Sequence, residues 1–410
     1  MKTINRLQIL FSGESVGELV LQDRQYWFQY DSAWLKTGFD LSPQTLAFNA
    51  NPQLASASLF QGLHGVFYDS LPDGWGLLLM DRFFKKKLAL DRHQINHLDR
   101  LAYMGHHAMG SLEYEPVIFE EVVEEKINLA ALAKDAEKLL TGRTQAVLNQ
   151  LRIQGGSPGG ARPKVTVALS DISDECLSGF SSLPEGFSHW IVKFRSESDP
   201  KDMGRIEKAY ADLARRAGLR VPSNRILHVH QSGKREDYFA IKRFDRIGEA
   251  KVHVLSMCAY VYADYRLPSL DYNSILAATM VLTKNIQEVA MAFRLMVFNI
   301  ATHNKDDHAK NFSFIHARQG EWQLAPTYDL TFSSGMNNQH TTAINGSGNP
   351  TYEDIAAIAK AHHIDHWETI LKEVMKAVSV WPLVARANNV NKSSIDRIEK
   401  AFKEIQKRVV

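Results

Sequence analysis

Over the first thirty residues, apolar and polar positions alternate in short bursts separated by turn signals: LQILF, SGES, VGELVL, QDRQ and YWFQY. This pattern predicts a small β-meander across residues 7–30, followed by extended or loop-like sequence to about Ala55. The period then changes. In LFQGLHGVFYDSLPDGWGLLLMDRFFKKK, residues Leu77, Leu78, Met80 and Phe84 fall as on a helix opened by the Pro72-Asp73-Gly74 turn. HQINHLDRLAYMG predicts a second helix, and the acidic run EEVVEEK at 120–126 reads as a boundary or as a charged face.

A short helix is expected near 129–140, and LRIQGGSPGGARPKVTVAL then reads as strand, glycine loop and strand. SHWIVKF (188–194) and YFAIKRFDR (238–246) are further strands, with an amphipathic helix between them at 205–222, ended by Gly218. From about residue 253 the pattern is helical, and MVLTKNIQEVAMAFRLMVFNIA leads into ATHNKDDHAKNF. NFSFIHARQGEWQL, with apolar runs on either side of ARQGE, predicts a β-hairpin, and SSIDRIEKAFKEIQKRV a C-terminal surface helix. A β-rich half followed by a helical half predicts an α+β, bilobal, protein-kinase-like fold. Its expected parts are an N-terminal module (1–120), an N-lobe with the glycine loop (121–248) and a helical C-lobe (249–410).

Composition narrows the class. A chain of 410 residues, 45% apolar, is ordinary for a globular protein, and a net charge of +2 gives no overall field that would argue for nucleic acid or membrane. Cys176 and Cys258, the only cysteines, suggest neither a disulfide framework nor a zinc site. The apolar run in MKTINRLQILFSG is too short for a secretory signal, and no stretch approaches the roughly 20 apolar residues of a membrane span. These features predict a soluble protein of a reducing cytoplasm.

The candidate chemistry centres on residues 301–312. Asp306 and Asn311 stand at the interval of a kinase catalytic loop, where the Asp accepts the attacking hydroxyl's proton and the Asn holds magnesium. A hairpin returns the chain to its start, so Asp329 in LAPTYDL can join Asn311 on one metal ion. Lys310 is placed to touch a transferring phosphoryl group, and His308 to brace the loop. His303, Asp307 and His308 also admit a zinc reading, but they lack the one-turn His spacing of helical zinc sites. Upstream, Gly155, Gly156, Gly159 and Gly160 allow backbone N–H groups to approach phosphate oxygens. Ala161-Arg162 stands where a Walker loop requires Lys-Ser/Thr. Lys193 is an isolated cation ending an apolar strand, as in a kinase phosphate-binding lysine, and Glu207 follows on the next helix as the carboxylate to orient it.

NKDDHAKNFSF, APTYDLT, GGARPK, IVKF and KRFDR, in this order, resemble the HipA-type serine/threonine kinases, toxins of bacterial toxin–antitoxin pairs. GELV and FQGLHGVFYDSLPDGWGLLLMDR are similar to that family's N-terminal module. The resemblance implies ATP and magnesium as cofactors, Asp306 as catalytic base and Asn311 with Asp329 on the metal. It implies nucleotide contacts from Gly159, Gly160, Lys164, Lys193 and His308, adenine contacts from the backbone of Lys242 and Phe244, and a ribose contact from Asp245. Ser157, in the glycine loop, stands where the family carries an autophosphorylated serine. The implied substrate is an aminoacyl-tRNA synthetase, notably the glutamyl one, and the implied partner a HipB-like DNA-binding antitoxin, with DNA reached only through it. Two other classes share these features: a small-molecule kinase of the aminoglycoside or lipid type, and a scaffold or corepressor acting with a DNA-binding antitoxin.

Overall fold

A computed structural model of the chain describes residues 3–56, 59–118, 126–142, 149–155, 160–180, 183–231, 233–317 and 319–409. The acidic run through residue 125, and Gly156, Ser157, Pro158 and Gly159, lie outside the described residues. The chain divides into two compact units, residues 1–201 with 225–255 and residues 202–224 with 256–410.

The first unit holds two five-stranded sheets. One consists of β1 (Arg6–Phe11), β2 (Glu14–Gln22), β3 (Gln25–Tyr30), β4 (Gln53–Leu54) and β5 (Leu112–Glu115), in the order β4-β3-β2-β1-β5 and antiparallel throughout. The predicted meander is there. Ser12 and Gly13 join β1 to β2, and Asp23 and Arg24 join β2 to β3, all four with positive φ. Two-residue loops of that kind match the twist of paired strands. Leu7, Ile9 and Phe11 alternate onto the buried face, with Leu19 and Phe28 from the neighbouring strands. The same part of the chain carries α1 (Trp34–Thr37), α2 (Gly65–Tyr68), α3 (Gly74–Leu88) and α4 (His97–Met104), the last opened by an Asn96–Asp99 capping box.

The second sheet contains β6 (Lys164–Ser170), β7 (Cys176–Ser178), β8 (Phe187–Lys193), β9 (Asn224–Gln231) and β10 (Lys234–Lys242), in the order β7-β6-β8-β10-β9. Val165, Val167, Val192 and Ala240 from its strands pack with Trp75 and Leu79 of α3, Leu132 of α5 (Leu129–Leu140) and Leu151 of α6 (Asn149–Gly155). α6 corrects the sequence reading, which made LRIQ a strand. Leu151 and Arg152 are adjacent and both buried, Leu151 in the core and Arg152 under the Phe83 ring at 4.3 Å with a 2.8 Å bond to Tyr103 Oη. Four residues before a glycine pair are too few to separate period two from period 3.6, and packing decided.

In the second unit, α7 (Met203–Arg216) ends at Gly218 (φ +82°), where Gly218 N–H reaches Arg215 O and Leu219 N–H reaches Ala214 O. α8 (Met257–Tyr260) and α9 (Tyr272–Thr283) precede α10 (Ile286–Ala301), which starts after left-handed Lys284, with Asn285 as its cap. α11 (Tyr352–Ala361), α12 (Trp367–Ser379), α13 (Trp381–Ala387) and α14 (Lys392–Val409) complete the helical set. Tyr210 of α7 meets Trp381 edge-on at 5.4 Å, and its hydroxyl donates to Thr302 O at 2.7 Å, fixing the exit of α10. The predicted hairpin pairs Ser313–His316 with Trp322–Leu324. The α+β class stands, and no helix among the described residues is long and apolar enough to cross a membrane.

Candidate active site

The second unit carries Asp306, His308, Lys310, Asn311, Asp329 and Glu207; the first carries Gly160, Lys164, Lys193, Lys242, Phe244 and Asp245. α10 delivers the chain at Thr302 into a loop that closes on itself. Asn311 Nδ2 donates to Asp306 O at 2.7 Å, and Asn311 N–H to His308 O at 2.8 Å. That bond occupies the amide nitrogen and leaves Oδ1 for another ligand. Asp306 is exposed, whereas Asp307 beside it is 1% exposed.

Asp307 is the brace of this loop. Its Oδ2 accepts from Tyr272 Oη at 2.9 Å and His340 Nδ1 at 2.8 Å, and its Oδ1 from the N–H groups of Thr341 (2.9 Å) and Thr342 (3.2 Å). Asn299 donates to Tyr272 Oη at 3.0 Å and accepts from Asn304 at 2.9 Å, so the network reaches back into α10. Sequence reading gave the bracing to His308. Its ring makes no hydrogen bond with a described residue, and its Nδ1 is buried. The sequence carried no signal of this role, since Asp307 is simply a second acid beside Asp306.

The loop is also laced to residues 333–341. Lys305 N–H donates to Ser333 O, Thr341 N–H to Lys305 O, and Lys305 Nζ reaches Asn338 O at 2.5 Å and Asn338 Oδ1 at 3.0 Å. Burial pushes the Lys305 ammonium down to about 8, with Arg408 adding to this and Asp307 opposing it. A groove of about 410 Å³ lies alongside, lined in part by Asp306, His308, Tyr265, Ser334, Met336 and Thr341. Lys310 Nζ sits 4.4 Å from the centre of the Tyr265 ring, a cation–π contact. Tyr328 Oη donates to Lys310 O at 2.6 Å and lies 2.6 Å from Ser313 Oγ, so the hairpin returns the chain beside Lys310. Asp329 follows with φ +56°, a left-handed backbone that a non-glycine residue adopts when its surroundings hold it there.

In the first unit, Lys164 and Lys193 are direct cross-strand partners between β6 and β8. Like charges placed opposite each other on a sheet repel, so such a pair favours an anion beside it. Lys164 is buried, and Lys193 Nζ lies 5.9 Å from the Phe239 ring centre. Asp245 is 2% exposed, and its carboxylate accepts from Arg243 Nε (2.8 Å) and Nη2 (2.7 Å), Arg246 Nη1 (3.0 Å) and Gly110 N–H (2.8 Å). Burial alone would raise its pKa, but the two guanidinium groups outweigh this and hold it well below the usual carboxylate range. Lys242, the last residue of β10, and Phe244 just beyond it flank Arg243, both half-buried. Glu207 is buried on α7.

The sequence matches two family models, the HipA N-terminal domain over residues 7–115 and the HipA-like C-terminal domain over residues 156–381. The second spans more than half of the chain. The chain belongs to the HipA family. This HipA-family chain is 30% identical over 151 residues to a Sinorhizobium fredii protein named "Putative kinase Y4dM", across 34% of the chain and 36% of that protein. It is 26% identical over 189 residues to a "Putative kinase" of Haemophilus influenzae, across 43% of the chain and 52% of that protein. It thus spans about a third to a half of the length of these curated relatives. Among solved structures it is similar to one from the Shewanella oneidensis MR-1 toxin–antitoxin complex of HipA, HipB and operator DNA. The TM-score is 0.67 at 17% identity, covering 98% of this chain and 96% of that one. That likeness is one of fold, and it covers both units of the HipA-family chain.

Proposed function

We propose that the protein is an ATP- and magnesium-dependent serine/threonine protein kinase, the toxin of a toxin–antitoxin pair. The observation that carries this reading is the contrast within one loop. Asp306 is exposed at a groove, while Asp307 is locked inside by four donors and Asn311 closes the loop onto Asp306 O. A rigid loop that presents one carboxylate suits a general base for a hydroxyl nucleophile.

The donor set suits magnesium: a carboxylate from Asp329 and the amide oxygen of Asn311 are hard oxygen ligands, and such sites are completed by substrate phosphates and water. When bound, the ion would neutralise charge on the phosphate oxygens. Lys164 and Lys193 meet phosphates, with Gly159 supplying its backbone N–H group, since that of Gly160 is donated to Asp73. Lys310, held over Tyr265, faces the transferring phosphoryl group, and the buried Nδ1 of His308 is a polar atom that a nucleotide could satisfy. The backbone of Lys242 and Phe244 meets adenine. We assign Asp245 the task of fixing that segment, because its carboxylate is already taken up by Arg243, Arg246 and Gly110. The acceptor is an aminoacyl-tRNA synthetase, the glutamyl enzyme first among those to test. Ser157 is the autophosphorylation site. The family and the Shewanella oneidensis complex support a HipB-like antitoxin as partner.

The test is the intact mass of the protein after incubation with Mg-ATP, wild type beside Asp306→Asn and Ser157→Ala. One added phosphoryl group, absent from both variants, is expected. Phosphate remaining in Ser157→Ala alone would move the modified residue and keep the kinase. No phosphate on any form, together with no ATP binding, would refute the kinase reading.

A further inference from the structure

The Pro72–Trp75 turn has an oddity at its centre. Asp73 is the N-cap residue of α3, yet its side chain makes no capping bond to its own helix. An Asp at that position ordinarily accepts from a backbone N–H of the first turn. Here the carboxylate, only 7% exposed, accepts instead from Gly160 N–H, 87 residues away.

Two more bonds join the same segments. Trp75 N–H donates to Gly160 O at 3.0 Å, and the Trp75 indole Nε1 donates to Lys164 O at 3.1 Å. The Trp75 ring is 1% exposed in the core beneath β6 and β8, so the turn is anchored from below. Gly74 makes the approach possible. At φ +41°, a Cβ there would stand 2.6 Å from Gly160 O and 2.8 Å from Ala161 Cα. On its other side Gly160 is crowded by Lys164 Nζ, which a Cβ at residue 160 would strike.

From this geometry we propose that Asp73 is a positioning residue for the segment Gly160–Lys164. It fixes Gly160 so that the segment entering β6, with Lys164 and its cross-strand partner Lys193, is set before a phosphate arrives. The helix gives up its own cap to an acceptor aimed at another part of the chain. Such preorganisation reduces the ordering that a ligand must impose on binding. The inference rests on the kinase reading for the identity of the ligand; the clamp itself rests only on the contacts just described.

The experiment uses the full chain carrying Asp73→Ser or Asp73→Asn. Serine restores an ordinary cap to α3 but is too short to serve Gly160, whereas asparagine keeps an oxygen acceptor of the same length. Hydrogen exchange at the Gly160 amide is read first, then Mg-ATP affinity by calorimetry. Asp73→Ser is expected to speed exchange at Gly160 by about tenfold, the scale of one intramolecular hydrogen bond. It should also weaken Mg-ATP about fivefold or more while thermal stability holds, and Asp73→Asn should remain near wild type in both readouts. Exchange at Gly160 within twofold of wild type in Asp73→Ser overturns the clamp. Faster exchange with unchanged affinity overturns its positioning role. If the wild type itself does not bind Mg-ATP, the kinase reading and the positioning role fall together, and the exchange data still judge the clamp.

Discussion

Replacing Asp307 by alanine removes the acceptor shared by Tyr272 Oη, His340 Nδ1 and the N–H groups of Thr341 and Thr342. Tyr272, His340 and Thr342 are buried, so water does not readily take the carboxylate's place. Each stranded donor costs about 1–3 kcal/mol. Such costs are not additive within one network, so four donors stranded together should cost about 3–5 kcal/mol in all, at the low end of their summed costs. We therefore expect Asp307→Ala to lose about 3–5 kcal/mol, or about 10 °C in the melting of the second unit. Asp306→Asn is the control from the adjacent position. Its side chain is exposed, so stability should change by less than about 0.5 kcal/mol, while phosphotransfer falls by about 10²–10⁴-fold through loss of the base. Differential scanning calorimetry and a phosphotransfer assay on both variants separate the two roles. Melting of Asp307→Ala within 2 °C of wild type (about 1 kcal/mol or less) would refute the bracing argument.

Arg243→Ala should destabilise the first unit by about 3–5 kcal/mol in urea titrations, because it leaves the Asp245 carboxylate buried with half of its partners; a loss below about 1 kcal/mol would contradict this. Gly74→Ala combines a left-handed backbone with a backbone clash at Gly160 O and should cost about 2–4 kcal/mol by the same titration, whereas a neutral result would show that the turn can move. Burial lowers His64 and His97 to about 4, His97 with a further push from Arg100. Between the ordinary histidine pKa and that value the unfolded chain binds more protons, so stability should fall as pH drops from about 6.5 towards 4, by roughly 1–3 kcal/mol per histidine at the acid end. Thermal melts at several pH values test this, and His97→Gln should flatten the decline. Asp245 works the other way: its stabilisation, present above its unfolded value, is lost only as pH falls through its lowered folded value, so it should outlast the histidines.

The sequence alone was enough for the meander at 7–30, the helices at Gly74–Leu88 and Met203–Arg216, the hairpin after Asn311 and the α+β class. Each is set by local terms: period two or 3.6, two-residue turns with positive φ, and a glycine that ends a helix. The motif order also sufficed for the family, because several short motifs in sequence are far more specific than any one of them. α6 was misread, and β9 was not foreseen at all, since short apolar runs fit more than one period. Which acid of the Asp306-Asp307 pair faces solvent could not be read from two identical letters. It depends on donors at 272, 340, 341 and 342, brought in by segments some 35 residues away. The same holds for Asp73, which the sequence shows only as part of the turn opening a helix and the tertiary structure turns towards Gly160. Periodicity decides where a helix or strand forms. The partner of a buried polar atom is decided only when distant segments close over it, because there each unmet donor or acceptor costs as much as a local preference is worth.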